Sequence, residues 1–255
     1  MPFCTNIGNN IIMDKITGFI FAAGLGTRLY PLTKDKPKAL VEVDGKTLLE
    51  HTIRKLTGAG IKRLVINVHH FGQQIIDFVS SHSFDADIRI SDERAELLDT
   101  AGGLKFAEPL LNDCDHILLH NVDIISSIDL PALCQTHIES GAMATLAVKQ
   151  RDTSRYFLFD PETMQLCGWE NRKSGEIINS RTCEKSIPLA FSGIHIVKHE
   201  LLNHIPDTSK RSITPLYLEL ARTQVIKGWQ HQQDRWMDIG KYEDYLTLLP
   251  DFTSF

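Results

Sequence analysis

Residues 21–40 read FAAGLGTRLYPLTKDKPKAL, which gathers two glycines, two prolines, one arginine and three lysines between apolar runs. Gly24 and Gly26 can turn the backbone so that successive N–H groups converge on an anion, and Arg28 and Lys38 add the fixed charge that a polyphosphate needs. Pro31 and Pro37 restrict the chain and lower the ordering cost of binding. The loop reads as a phosphate cradle. It is not a dinucleotide fingerprint, because Leu29 stands where a third glycine is required, and no Gly-x4-Gly-Lys-Ser/Thr run is present.

The elements around the loop set its place. ITGFIFAAG is a nearly continuous apolar run stopped by glycine, the pattern of a strand buried on both faces at the centre of a parallel sheet. A loop leaving the carboxyl end of such a strand is where open α/β sheets hold ligands. ALVEVDG predicts a strand closed by an Asp-Gly turn. In KTLLEHTIRKLTGAG, Leu48, Leu49, Ile53 and Leu56 recur at helical spacing before Gly58 and Gly60 stop them. RLVINV, DIRISDE and HILLHNVDII read as strands, and GQQIIDFVSS and GGLKFAEPLL as helices. That alternation predicts an α/β fold, a Rossmann-like, mostly parallel sheet with helices on both faces. After about residue 145 the pattern changes. AMATLAVKQ, RYFLFDP, MQLCGWEN and LAFSGIHIV are strand-like, ITPLYLELART and YEDYLTLL are helical, and a small β-rich annex is expected there.

Composition narrows the partners. The 255 residues carry a net charge of -5 and a pI near 6.1, which leaves no basic footprint for nucleic acid. Five scattered cysteines without CxxC spacing indicate neither a disulfide framework nor a thiolate zinc site, and fit a reducing cytoplasm. No apolar run approaches a membrane span, and MPFCTNIGNNIIMDK lacks the form of a secretory leader. Met13 is the expected start, with residues 1–12 a flexible extension and 13–255 a single domain. Monomer and small homo-oligomer both remain open. His69, His70, His116, His120, His195 and His199 form no metal-ligand pattern and read as surface or satisfied core histidines.

GLGTRLYPLTKDKPKAL resembles the G-x-G-T-R-x-x-P-x-T-x-x-x-P-K signature of sugar-1-phosphate nucleotidyltransferases. INVHHFGQQI, DTAGGLKFA, HNVDI, FSGIHIV and RWMDIG follow in the family's order, so the resemblance covers most of the chain. It is most similar to the N-acetylmuramate-1-phosphate uridylyltransferases of cell-wall recycling, with mannose-1-phosphate guanylyltransferases close behind. The resemblance implies a GT-A-like nucleotide-diphospho-sugar transferase fold whose annex binds the sugar, with an NTP and a sugar 1-phosphate as substrates and Mg²⁺ as cofactor.

The resemblance also assigns roles by position. Ala22, Ala23, Gly24, Gly26 and Thr27 would cradle the nucleotide phosphates, with Arg28 on the departing pyrophosphate and Lys38 on the α-phosphate. Asp123 and Asp238 would share Mg²⁺; either aspartate alone reads as a turn or cap residue. Thr100, Ala101 and Gly102 would meet the nucleobase, with Thr100 also expected to cap the helix that follows. In the sugar-phosphate site, Glu170 would take a sugar hydroxyl and Arg172 the sugar phosphate, with Gly193 lining the same pocket. Val122 departs from the family's usual Gly or Ala before the metal aspartate, and is expected to narrow the place where nucleoside and sugar meet. Two other readings are a non-catalytic nucleotide-sugar sensor and a Rossmann oxidoreductase; the absent third glycine counts against the second.

Overall fold

The computed structural model describes residues 13–206 and 210–248, so the expectation for residues 1–12 lies outside the described residues. Strands β1 (Ile16–Phe21), β2 (Glu42–Val43), β3 (Lys46–Thr47), β4 (Arg63–Val68), β5 (Asp87–Asp92), β6 (His116–Asn121) and β7 (Ile124–Ser126) form the first half. β8 (Ala144–Lys149), β9 (Arg155–Phe159), β10 (Leu166–Asn171), β11 (Glu176–Asn179), β12 (Ile187–Lys198), β13 (Ile226–Gln230) and β14 (Trp236–Asp238) form the second. The helices are α1 (Leu48–Gly58), α2 (Gly72–Ser81), α3 (Asp99–Phe106), α4 (Leu130–Ser140), α5 (Ile213–Leu220) and α6 (Tyr242–Leu248).

β1 is central, flanked in parallel by β4 and β6, with β5 parallel at the edge beyond β4. The parity of β1 divides the core. Ile16 and Ile20 enter one apolar cluster with residues of α1, α2 and α4, while Phe19 enters a second cluster with residues of α3 and α5. Helices thus cover both faces, as the sequence alternation requires. The Asp-Gly turn is present as a two-residue hairpin: Asp44 and Gly45, with φ of 50° and 72°, join β2 to β3.

The annex grows from one long strand. β12 runs antiparallel to β9 over Ile187–Leu189, to β6 over Ile194–Lys198, and to β8 on its other side. It changes neighbours at a register shift between Phe191 and His195, where Gly193 has φ of 74°. A Cβ at Gly193 would lie 2.8 Å from Ile124 Cγ1, so the bulge needs glycine for both its conformation and its space. β9, β10 and β11 continue antiparallel beyond it, and the complete sheet is mixed with a parallel core. The sequence reading missed α4, β11, β13 and β14. In α4, Leu130, Leu133, Cys134 and His137 are buried at helical spacing after an Asp129 cap, a signal that was available. β13 is a short edge strand containing Gly228, with little pattern to read.

Candidate active site

The opening loop leaves β1 and folds back on itself. Asn67 Oδ1, from β4, accepts from Ala22 N at 2.8 Å and Ala23 N at 3.3 Å, and Asn67 Nδ2 donates to Glu93 Oε1 at 2.8 Å. This buried chain fixes where the loop begins. Leu29 anchors it from below, and Thr33 Oγ1 donates to the carbonyl of Gly26 at 2.9 Å. Gly26 has φ of 66°, and a Cβ there would stand 3.1 Å from Lys38 Cβ, so the loop's two ends meet at that glycine. Lys38 is thereby aimed at Asp123.

Asp123 and Asp238 meet through a small ladder. β7 and β14 pair antiparallel with Asp238 opposite Ile124, and Ile239 N donates to Asp123 O at 2.8 Å. Lys38 Nζ lies 2.5 Å from Asp123 Oδ2. Burial opposes charge on Asp123, but the Lys38 ammonium beside it outweighs that and holds its carboxyl below the usual range. Burial first, and then the Asp123 charge, push Asp238 up to about 6. Asp238 Oδ1 is buried without a hydrogen-bond partner. A further acceptor-only oxygen beside a second carboxylate fits a divalent cation whose remaining ligands are water and phosphate oxygens. No group of three or more metal-ligating side chains occurs among the described residues, so Asp123 and Asp238 would supply a partial shell.

Cavities open on both sides of this centre. The smaller, about 400 Å³, is lined by Ala23, Gly24, Lys38, Asn121 and Asp123 below, and by Thr100 and Lys210 across from them. The larger, about 1030 Å³, has Phe157, Trp169, Phe191 and Trp236 in its walls and reaches Arg28 and Asp238. Arg28 lies on this side: a Cβ at Gly240 would be 3.2 Å from its Nη2 and 2.7 Å from Asp238 Oδ1.

Several expected residues sit elsewhere. Trp169 and Asn171 face the larger cavity from β10, and strand parity turns Glu170 to the other side, opposite Tyr156. Arg172 Nε donates to Glu170 at 2.7 Å and its guanidinium lies 4.2 Å from the Tyr156 ring, so this pair is not in the cavity. Val122, in the turn between β6 and β7, does not join its neighbours Asn121 and Asp123 in lining the smaller cavity. It is buried in the apolar cluster with α1 and lines neither cavity, which corrects the expectation that it narrows the site. Thr100 does not cap α3; its hydroxyl accepts from Ile213 N at 2.8 Å, capping α5 instead. The N–H groups of Ala101 and Gly102 both donate to the Arg211 carbonyl, at 2.8 and 3.2 Å, and are unavailable to a base in this conformation. Gly193 lies against Asn121 at the annex junction. Thr27 is exposed at the rim of the loop.

Buried histidines are partnered: His120 Nδ1 with Asn121 O at 2.8 Å, His195 Nδ1 with the Tyr217 hydroxyl at 2.6 Å, and His137 Nδ1 with Thr145 Oγ1 at 2.9 Å. The sequence reading assigned no role to Asn67, Glu93, Asn121 or Arg151. Asn67 and Asn121 were within INVHH and HNVDI, where a buried amide at a strand's carboxyl end was the available signal. No helix among the described residues is long and apolar enough to cross a membrane.

A nucleotidyl transferase family model matches residues 17–168, the segment carrying the loop, Lys38 and Asp123. The chain belongs to that family. This nucleotidyl transferase is 32% identical over 243 residues to the N-acetylmuramate alpha-1-phosphate uridylyltransferase of Caulobacter vibrioides, covering 87% of this chain and 90% of that one. It is 29% identical to a mannose-1-phosphate guanyltransferase homologue of Sulfolobus acidocaldarius, covering 91% of this chain and 62% of that protein. Its fold matches that of HddC from Yersinia pseudotuberculosis, crystallised with GMP-PN, with a TM-score of 0.72, 21% identity, and coverage of 92% and 99% of the two chains. The enzyme is thus a nucleotidyltransferase with the mixed, Rossmann-like sheet of its structural neighbours.

Proposed function

We propose that this enzyme converts UTP and an N-acetylmuramate-like or related hexose 1-phosphate to the UDP-sugar and pyrophosphate. The observation that carries the reading is one centre, Lys38 with Asp123 and Asp238, lying between two cavities of about 400 and 1030 Å³. The smaller cavity, floored by Ala23 and Gly24, is the assigned nucleotide site; the larger, with its aromatic walls, is the sugar site. The higher identity to the Caulobacter relative, 32% against 29%, favours the uridylyl reading over the guanylyl one.

A phosphate monoester has a second pKa of about 6, so the sugar phosphate arrives largely dianionic near neutrality and needs no general base. The protein's work is alignment and charge neutralisation. Lys38 would neutralise the α-phosphate as the sugar-phosphate oxygen attacks in line, and Arg28 would grip the departing pyrophosphate. Asp123 and Asp238 would hold Mg²⁺, which supplies Lewis-acid stabilisation of the phosphate oxygens when bound. No covalent intermediate with the enzyme is required. A matrix of four NTPs against sugar 1-phosphates, read by pyrophosphate release, tests the reading. A higher kcat/KM for GTP with mannose 1-phosphate than for every UTP pairing overturns the substrate assignment, and no turnover with any pairing favours the nucleotide-sugar sensor.

A further inference from the structure

Lys38 is fixed at its root and engaged at its tip. Its backbone opens a single 3₁₀ turn, in which Leu40 N donates to Pro37 O at 2.9 Å and Val41 N to Lys38 O at 3.0 Å, and the next residue, Ala39, is fully buried. Gly26 closes on the lysine from the other end of the loop, where a Cβ would stand 3.1 Å from Lys38 Cβ. The root of the side chain is thereby set in place. Its ammonium ends 2.5 Å from Asp123 Oδ2, and the two side chains are only 16% and 11% exposed.

That contact falls on the carboxylate assigned to the metal. The carboxyls of Asp123 and Asp238 adjoin, and Asp238 Oδ1 is buried without a hydrogen-bond partner, so a divalent cation bridging the pair approaches the charge that Lys38 neutralises. Sheltered from water, an ammonium and a divalent cation on one carboxylate repel each other at close range with little screening. The geometry sets lysine against metal. Relief is at hand on the nucleotide side, because the cavity of about 400 Å³ is lined by Gly24, Lys38 and Asp123 together. A phosphate oxygen there offers the ammonium an acceptor of its own, and a four-carbon stem can swing its tip from carboxylate to phosphate while its root stays fixed.

We propose that Lys38 is a resident competitor for the divalent cation at Asp123: metal alone meets a carboxylate already neutralised, and metal with nucleotide binds cooperatively because the α-phosphate draws the ammonium away. The inference rests on the assignment of Asp123 and Asp238 to Mg²⁺, and gives Lys38 a second role of opposite sign. Its charge assists the transfer and opposes the metal in the nucleotide-free enzyme. Coupling of this kind is reciprocal, so the nucleotide tightens the metal by the factor with which the metal tightens the nucleotide.

Mn²⁺ serves as the probe, since electron paramagnetic resonance counts the free ion directly and needs no turnover. In the nucleotide-free enzyme, K38M should tighten Mn²⁺ by at least about tenfold in Kd, the scale of one charge-assisted contact, even though the same variant loses turnover. K38R, which keeps the charge, should stay within about twofold of wild type. Adding D123N to K38M should abolish the gain and so tie it to this carboxylate. With UTP present, and the Mn²⁺–UTP complex measured separately, wild type should gain metal affinity and K38M should gain less. Unchanged or weaker Mn²⁺ binding by folded K38M overturns the proposal, as does K38R binding as tightly as K38M, or a gain that survives D123N. An equal UTP-induced gain in wild type and K38M, or none in wild type, overturns the handover to phosphate. Absence of pyrophosphate release with every NTP and sugar 1-phosphate overturns the transferase reading instead; a Mn²⁺ gain in K38M that D123N abolishes would then still support the competition.

Discussion

Lowering the pH from 7.5 to 5.0 should remove much of this protein's margin of stability through four buried imidazoles. Burial pushes His120 and His231 down to about 4, and His137 and His195 down to about 3. In the unfolded chain each returns to about 6.5, so between those values the unfolded state binds more protons and stability falls as pH falls. At pH 5 the medium lies about 1.5 units below each group's unfolded pKa while the group remains neutral in the fold, a cost of about 2 kcal/mol apiece and about 8 kcal/mol together. Asp238 acts in the opposite sense. Its carboxyl is raised to about 6 in the fold, so the native state gains protons first and recovers about 1.4 kcal/mol at pH 5 in metal-free buffer. The net loss, about 6.5 kcal/mol, is comparable to the whole stability of many domains. Urea unfolding followed by circular dichroism, with chelator present, should show the midpoint falling by about 2.5 M for a slope of about 2–3 kcal/mol/M. His137→Asn should remove about a third of that pH dependence. An unchanged or rising midpoint between pH 7.5 and 5.0 refutes the assignment of these histidines as neutral in the fold.

Asp123→Asn and Asp238→Asn should each lower kcat by about two orders of magnitude or more, because each removes an anionic ligand from a centre that works by charge neutralisation; near-normal turnover of either folded variant at limiting Mg²⁺ removes it from the metal site. Lys38→Ala should depress kcat more than it raises KM for the NTP, since its charge is assigned to the α-phosphate in the transition state, and steady-state kinetics showing only a KM effect overturns that role. Val122→Gly should destabilise the fold by about 2–4 kcal/mol through a core cavity and leave the NTP and sugar preferences unchanged, measured by denaturant midpoint and the substrate matrix.

How much of the site was legible follows from the kind of information each residue carries. The loop from Gly24 to Lys38 is local: its glycines, prolines and cations make a phosphate cradle without reference to the rest of the chain. β1, β4 and α2 were equally plain, since their apolar runs and periods end where the elements end. The residues that went astray share a different property. Glu170 sits in a strand where neighbouring positions face opposite ways, and Val122 in the tight turn between β6 and β7, so in both places a displacement of one residue moves a side chain away from the cavity. Motif spacing located β10 and the Asn121–Asp123 segment but did not fix their parity. Thr100, Ala101 and Gly102 depended on a distant segment, because only the fold brings the Arg211 carbonyl and Ile213 N–H against them.

The same reasoning explains how the Lys38–Asp123–Asp238 centre is assembled from so dispersed a sequence. Lys38 is positioned by the close contact at Gly26, Asp123 by the end of the central parallel strands, and Asp238 by a three-residue strand returning from the annex side. The annex is attached at a single shift in β12, where Gly193 packs against Ile124 and Asn121, the residues on either side of the Val122–Asp123 step. A side chain at Gly193 would therefore press on the segment carrying Asp123 as well as on the sheet junction. The annex junction and the segment carrying Asp123 are mechanically joined at that glycine, so a substitution there should disturb the Lys38–Asp123–Asp238 centre as well as the sheet.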